Sequence, residues 1–216
     1  MTETHHTFVA EKYGVRADRY VESAVHSAGE DLDRIEAAVR GGAKLRVLDL
    51  GCGGGHVAYR AAPHVAEVVA VDVTAEMLEA VRRTAAERGL SNIDVRQAAA
   101  ESLPFPGGRF DVVLCRFSAH HWRDFEAGLR EAGRVLAPEG QAIFVDCAAP
   151  GDALLDTYLQ TWELQRDPSH VRNYSASEWC GALARAGFTV ESLTRRRLRL
   201  EFASWIARTG TARLHA

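Results

Sequence analysis

Apolar positions near the start of the chain recur every three or four residues: Tyr13, Ala17, Tyr20, Val21, Ala24 and Val25, then Leu32, Ile35 and Val39, before Gly41-Gly42 interrupts them. That spacing is helical. From Leu45 the period changes. The run Leu45 to Leu50 is short, mostly apolar and stops at glycine, as a strand buried on both faces does. Similar runs predict strands over 67–73, 93–97, 110–115 and 141–147. Helical stretches separate them: one to about Ala62, one that Thr74 caps with Met77, Leu78, Val81 and Ala85 on one face and Gly89 at its end, and one over 125–136. Strands alternating with helices imply right-handed crossovers and an α/β architecture, a doubly wound, mostly parallel sheet with helices on both faces. After Pro150 a helix is expected over 153–164 and a break at Asp167-Pro168-Ser169. Ser175-x-x-Glu178 then reads as a capping box opening a helix that Gly187 closes. Residues 188–202 read as β structure interrupted by Arg195-Arg196-Arg197.

Composition narrows the setting. With 216 residues, 47% of them hydrophobic, the chain can bury the core of one domain and leaves little room for a second. A single domain over 1–216 is expected: a helical cap over 1–42, a core over 43–148 and a further part over 149–216. Twenty-six Lys and Arg against 29 Asp and Glu give no overall field for nucleic acid or an anionic membrane. No run reaches the length of a membrane span, and the first residues lack a basic, then apolar leader, so a cytoplasmic protein is expected. The four cysteines lie far apart without a C-x-x-C pair, and His5-His6 without a third ligand is read as a solvated terminus, so no metal is expected.

The densest local signal is Val47-Leu48-Asp49-Leu50-Gly51-Cys52-Gly53-Gly54-Gly55-His56. Glycines at a strand end let the backbone approach a ligand at the switch point of an open sheet. Asp72 closes the next strand about 20 residues on, where a carboxylate can accept from a ribose diol. A dinucleotide fingerprint requires glycine where His56 stands, and Asp49 would repel a pyrophosphate; no Lys-Ser or Lys-Thr closes the turn as a P-loop would. S-adenosylmethionine has no phosphate and carries two positive groups, both compatible with Asp49.

Five stretches then fall in order. Leu48-Asp49-Leu50-Gly51-Cys52-Gly53-Gly54-Gly55, Val71-Asp72, Ala100-Glu101-Ser102-Leu103-Pro104-Phe105, Phe110-Asp111-Val112-Val113 and Arg134-Val135-Leu136-Ala137-Pro138-Glu139-Gly140 resemble the class I S-adenosylmethionine-dependent methyltransferases. Within them, the small-molecule branch containing the ubiquinone/menaquinone C-methyltransferases is the most similar. The resemblance implies a Rossmann-like sheet, S-adenosylmethionine as cofactor with S-adenosylhomocysteine as product, and methyl transfer to a small quinol, phenol or polyketide-like acceptor. It also implies site roles. Asp49, Gly51, Cys52 and Gly53 line the methionine part, Asp72 holds the ribose, and Val73 and Met77 flank the adenine. Ala100 offers its N–H to the adenine with Glu101 beside it, and Arg116 and Phe117 face the sulfonium and the acceptor. Many relatives have an aspartate for the adenine amino group where this chain has Ala99. A non-catalytic cofactor-binding or scaffolding protein and an NAD(P)-dependent oxidoreductase are the competing readings.

If the acceptor must lose a proton, histidine has a suitable pKa, and His120 and His121 follow the fourth strand on the ligand side of the sheet. Capping a helix or packing on Trp122 is the alternative for both. Tyr13 and Tyr20 are candidates for a lid over the cofactor, and His26 reads as a core histidine. The arginines at 195, 196, 197 and 199 read as a solvated edge diluted by Glu191 and Glu201. The family's last antiparallel strand is expected to be missing or replaced, which would leave an edge open to homodimerisation.

Overall fold

The structure, a computed structural model, describes residues 4–14 and 28–208. Five strands, β1 (Arg46–Leu50), β2 (Glu67–Asp72), β3 (Ile93–Gln97), β4 (Phe110–Arg116) and β5 (Leu136–Val145), form one sheet in the order β3-β2-β1-β4-β5. Every adjacent pair is parallel. The helices are α1 (His5–Gly14), α2 (Glu30–Val39), α3 (His56–Ala61), α4 (Ala75–Glu87), α5 (Phe125–Val135), α6 (Ala153–Arg166), α7 (Ala176–Arg185) and α8 (Phe202–Arg208).

Alternation along each strand builds two cores. Val47, Val68, Ala70, Val112 and Leu114 face α2, α3 and α4, where Leu32, Ile35, Val57, Leu78 and Val81 are buried. Leu48, Leu50, Val69, Val71 and Val113 face α5 and α7, meeting Phe125, Leu129, Ala132 and Ala182. Covering both faces is what near-continuous apolar strands require. Asp124 caps α5 by accepting from Ala127 N–H at 2.9 Å, and the capping box Ser175/Glu178 forms at α7 as expected. At Gly187 φ is +90°.

Two contacts stitch the sheet's flanks. Arg46 grips Asp111, with Nε at 3.0 Å, Nη2 at 2.7 Å and its backbone N–H at 2.8 Å, tying the starts of β1 and β4. Arg134 on α5 donates to the carbonyls of Phe105 (2.7 Å) and Leu103 (2.9 Å), while Glu131 accepts from Leu103 N–H at 2.8 Å.

Several expectations are corrected. Residues 188–201 carry no strand: Arg196 pairs with Glu30, and Arg34 donates to Thr194 at 3.3 Å, so the segment is tied to α2. Phe188 still packs against the core beside Phe144, but Leu193 and Leu198 further along are about half exposed. Among the described residues no strand pairs with the outer edge of β5. That strand starts earlier than expected, at Leu136, because Leu136 already pairs with Phe110 ahead of a register shift. Thr74 stands at the N-cap of α4 without a side-chain cap bond. Tyr20 and His26 lie outside the described residues.

Candidate functional site

At the carboxyl end of β1 the chain crosses to β2: the N–H groups of Gly51 and Cys52 both donate to Val71 C=O, at 2.8 and 2.9 Å. Gly51, Gly53 and Gly55 all have positive φ, the region glycine enters without strain. A Cβ on Gly51 would fall 1.8 Å from Ser118 Oγ, whereas one on Gly53 would meet nothing within 4 Å and would fill open cavity. Asp49 is 1% exposed, and its Oδ2 accepts from Ala58 N–H at 3.0 Å, supplying to α3 the cap that Gly55 has no side chain to make. Burial pushes this carboxyl up to about 7, with the nearby Asp72 adding to it against the Ala58 bond. Asp72 spans the turn, accepting from Gly53 N–H and Thr74 N–H at 2.9 Å each. Burial raises its pKa as well, opposed by those bonds. Glu101, on the loop held by Arg134, accepts from Asp124 N–H at 3.2 Å.

These residues border one cavity of about 200 Å³. It brings together Asp49, Gly51, Cys52, Gly53, Asp72, Val73, Met77, Ala100, Glu101, Arg116, Phe117, His120 and His121; Ala98 lines it in place of Ala99. The Cys52 thiol is raised well above its usual range by burial and by Asp72 and Asp49, so it is no thiolate at neutral pH. Arg116 pairs with Asp31 on α2, and its guanidinium lies 4.6 Å over the Phe117 ring.

Carboxyl groups from the ends of β1 and β2 and from the loop after β3 ring the turn, and its cradle is open at Gly53. That set suits a ligand bearing a sulfonium, an ammonium and a ribose diol, and it opposes a pyrophosphate. The residues present therefore fit S-adenosylmethionine.

The two histidines divide. His120 Nδ1 lies 2.6 Å from Asp146 Oδ1, and its backbone N–H donates to Asp146 Oδ2 at 3.1 Å. A carboxylate only accepts, so the proton sits on Nδ1 and Nε2 carries the lone pair. Burial pulls the His120 pKa down, but the charge of Asp146 and its hydrogen bond outweigh this and raise it. His121 has both nitrogens engaged, Nδ1 at 3.1 Å from Ser169 C=O and Nε2 at 3.1 Å from the Tyr13 hydroxyl. Burial, together with His120, holds it down at about 3.

Helix α1 lies over this region. Tyr13 and Lys12 both reach Asp167, which is fully buried. Burial would raise the Asp167 carboxyl, but His121, Lys12, Ser169 and Tyr13 hold it well below the usual range. His5 and His6 are not a solvated terminus: His5 Nε2 bonds His121 C=O at 2.9 Å, and His6 lies 3.3 Å from Glu101. Among the described residues no cluster could hold a metal ion, and no helix is long and apolar enough to cross a membrane.

Asp146, Asp31 and Asp167 were not anticipated. Asp146 had a signal, since Val145-Asp146 repeats at the end of β5 the pattern of Val71-Asp72 at the end of β2. The other two are brought in by tertiary contacts with no local pattern.

Comparison with known proteins places the chain. The family model described as a methyltransferase domain matches residues 47–140. The uncharacterized methyltransferase YcgJ of Bacillus subtilis is 39% identical over 199 residues, covering 92% of this chain and 79% of that protein. Its crystal structure superposes with a TM-score of 0.82, over 85% of this chain and 78% of that one. The uncharacterized protein YafE of Escherichia coli is 47% identical over 157 residues, 73% of this chain and 76% of that protein. A ubiquinone/menaquinone biosynthesis C-methyltransferase, UbiE of Coxiella burnetii, is more distant at 32% over 164 residues, 74% of this chain and 64% of that protein. The chain belongs to the class I S-adenosylmethionine-dependent methyltransferases.

Proposed function

We propose that the chain methylates a small-molecule acceptor, a quinol, phenol or polyketide-like carbon or oxygen nucleophile, with His120 as general base and Asp146 orienting it. The observation that carries this reading is the 2.6 Å His120–Asp146 contact on the wall of the cavity into which the glycine turn opens. Distant similarity to a named quinone C-methyltransferase supports the acceptor class.

S-adenosylmethionine, when bound, supplies an electrophilic methyl group on a sulfonium. Asp49, Gly51, Cys52 and Gly53 would hold its methionine part, and Asp72 its ribose. Val73, Met77, Ala98, Ala100 and Glu101 would border the adenine, with Arg116 and Phe117 on the acceptor side. His120 Nε2 takes the acceptor's proton, and the imidazolium that forms is stabilised by Asp146, whose side chain is 3% exposed. His121, with both nitrogens engaged and its pKa depressed, holds loops and α1 in place. In this reading the chain is one catalytic domain working in the cytoplasm, and pairing of two copies along the edge of β5, which no strand covers among the described residues, is its expected association.

The test is His120→Gln and Asp146→Asn against a panel of phenols, quinols and polyketide-like acceptors. His120→Gln is expected to lower turnover by about 10² to 10⁴ while S-adenosylhomocysteine affinity holds within about twofold. Activity of the parent should rise with pH through a pKa above the ordinary histidine value, and Asp146→Asn should move that inflection down. Unchanged turnover in His120→Gln would remove the base.

A further inference from the structure

The loop between α6 and α7 carries a side chain for which the fold has no use. Asn173 is 1% exposed, yet neither its carboxamide nitrogen nor its carboxamide oxygen has a hydrogen-bond partner. Its main chain, by contrast, is satisfied: the N–H donates to Gln160 Oε1 at 3.0 Å, and the C=O accepts from Gln160 Nε2 at 2.8 Å. Asp156 fixes which way that glutamine amide faces, because its carboxylate can only accept, and Gln160 Nε2 donates to it at 2.7 Å. The loop is thus secured through backbone, and the Asn173 carboxamide adds nothing to the anchoring. Leaving a buried donor and acceptor unpaired is unfavourable, and an apolar side chain of similar shape would avoid that cost.

Asn173 lines the cavity that His120 also lines. Leu198, Leu200 and Trp205 supply an apolar part of the same wall. We infer that Asn173 is a specificity-determining contact for the acceptor, and that the acceptor presents a phenolic or enolic hydroxyl beside a carbonyl. A carboxamide offers one donor and one acceptor side by side, so its complement is an acceptor and a donor side by side. A carbonyl next to a hydroxyl meets that requirement and sits against an apolar wall as a neutral molecule. A site built to hydrogen-bond such an edge rejects an analogue lacking it, because its own polar groups are then left unpaired. This assignment rests on the reading of the cavity as the acceptor site.

The test uses the full chain saturated with S-adenosylhomocysteine and titrates three neutral probes by calorimetry: 3-hydroxychromone, chromone, which lacks the hydroxyl, and 2-quinolone, whose lactam offers the same donor and acceptor through nitrogen. The parent is expected to bind 3-hydroxychromone about tenfold or more tighter than chromone. Asn173→Leu and the smaller Asn173→Ala should cut that preference to below about threefold without moving S-adenosylhomocysteine affinity. Asn173→Leu should also melt no lower than the parent, as removal of a surplus buried amide predicts. Equal binding of 3-hydroxychromone and chromone by the parent, or a preference that survives in both variants, overturns the role of Asn173. Tighter binding of 2-quinolone overturns the hydroxyl–carbonyl assignment. Failure of all three probes to bind a parent that holds S-adenosylhomocysteine overturns the acceptor-site reading beneath it.

Discussion

Asp49→Asn separates what the fold tolerates from what the ligand needs. The asparagine keeps an oxygen for the Ala58 N–H and removes the buried charge. Burial pushes the carboxyl from its ordinary 3.8 up to about 7, a shift of about three pH units. The folded state therefore retains a proton that the unfolded chain has already lost. Stability is full below about pH 4, falls as the pH rises, and levels off once the folded pKa is passed. At 1.36 kcal/mol per unit, the ionisable side chain costs about 4 kcal/mol at pH 8 and about 2 kcal/mol at pH 5. Urea unfolding of the ligand-free protein at both pH values reads this directly. The variant should be more stable than the parent, with the gap widening by about 2 kcal/mol between pH 5 and pH 8. Binding should move the other way: S-adenosylhomocysteine, whose amino group needs an ionised partner, should bind the variant about tenfold or more weakly. A gap that stays constant with pH would refute the assignment of a destabilising buried carboxyl at this position.

Three further outcomes follow from the geometry. Asp72→Ala should weaken S-adenosylhomocysteine about a hundredfold by calorimetry, since it removes the ribose partner and frees Gly53 N–H and Thr74 N–H; parent-like affinity would sink the ribose assignment. Gly51→Ala should cost about 2 kcal/mol or more in urea unfolding, because φ is +71° and the added Cβ displaces Ser118, whose hydroxyl accepts from Trp122 Nε1 at 3.2 Å. Asp111→Asn should cost about 1 kcal/mol at pH 7, discounted because Arg46 is 39% exposed, and nothing well below pH 2; the hydrogen bonds from Arg46 lower the Asp111 carboxyl to about 2, so its contribution is present above about pH 4 and lost as the pH falls through the folded pKa.

The sheet was legible in the sequence because its strands are buried on both faces. Such strands leave unbroken apolar runs ended by glycine or acid, and β1 (Arg46–Leu50) and β2 (Glu67–Asp72) appear where those runs lie. Residues 188–201 misled for the opposite reason: apolar residues set among arginines resemble a strand, but local pattern says nothing about the tertiary ion pair and hydrogen bond, Arg196 with Glu30 and Arg34 with Thr194, that hold the segment on α2. The cofactor side of the cavity could be read because its residues cluster at strand ends along one stretch of chain. On the acceptor side His120, His121, Arg116 and Phe117 could be named, but not the partners that complete it. His120 depends on Asp146, and the cavity wall on Asn173, residues that come together only when the crossovers return to the same end of the sheet.

The Arg134 clamp changes how the chain's signatures should be counted. Residues 100–105 and 134–140 look like two independent markers, yet Arg134 and Glu131 hold the loop that carries Leu103 and Phe105. The two stretches are halves of one device. Meeting both in a sequence is thus closer to a single observation made twice than to two separate ones, and a chain with only one of them would be expected to misplace Glu101. A change at the exposed Arg134 would register first in how the protein grips its cofactor.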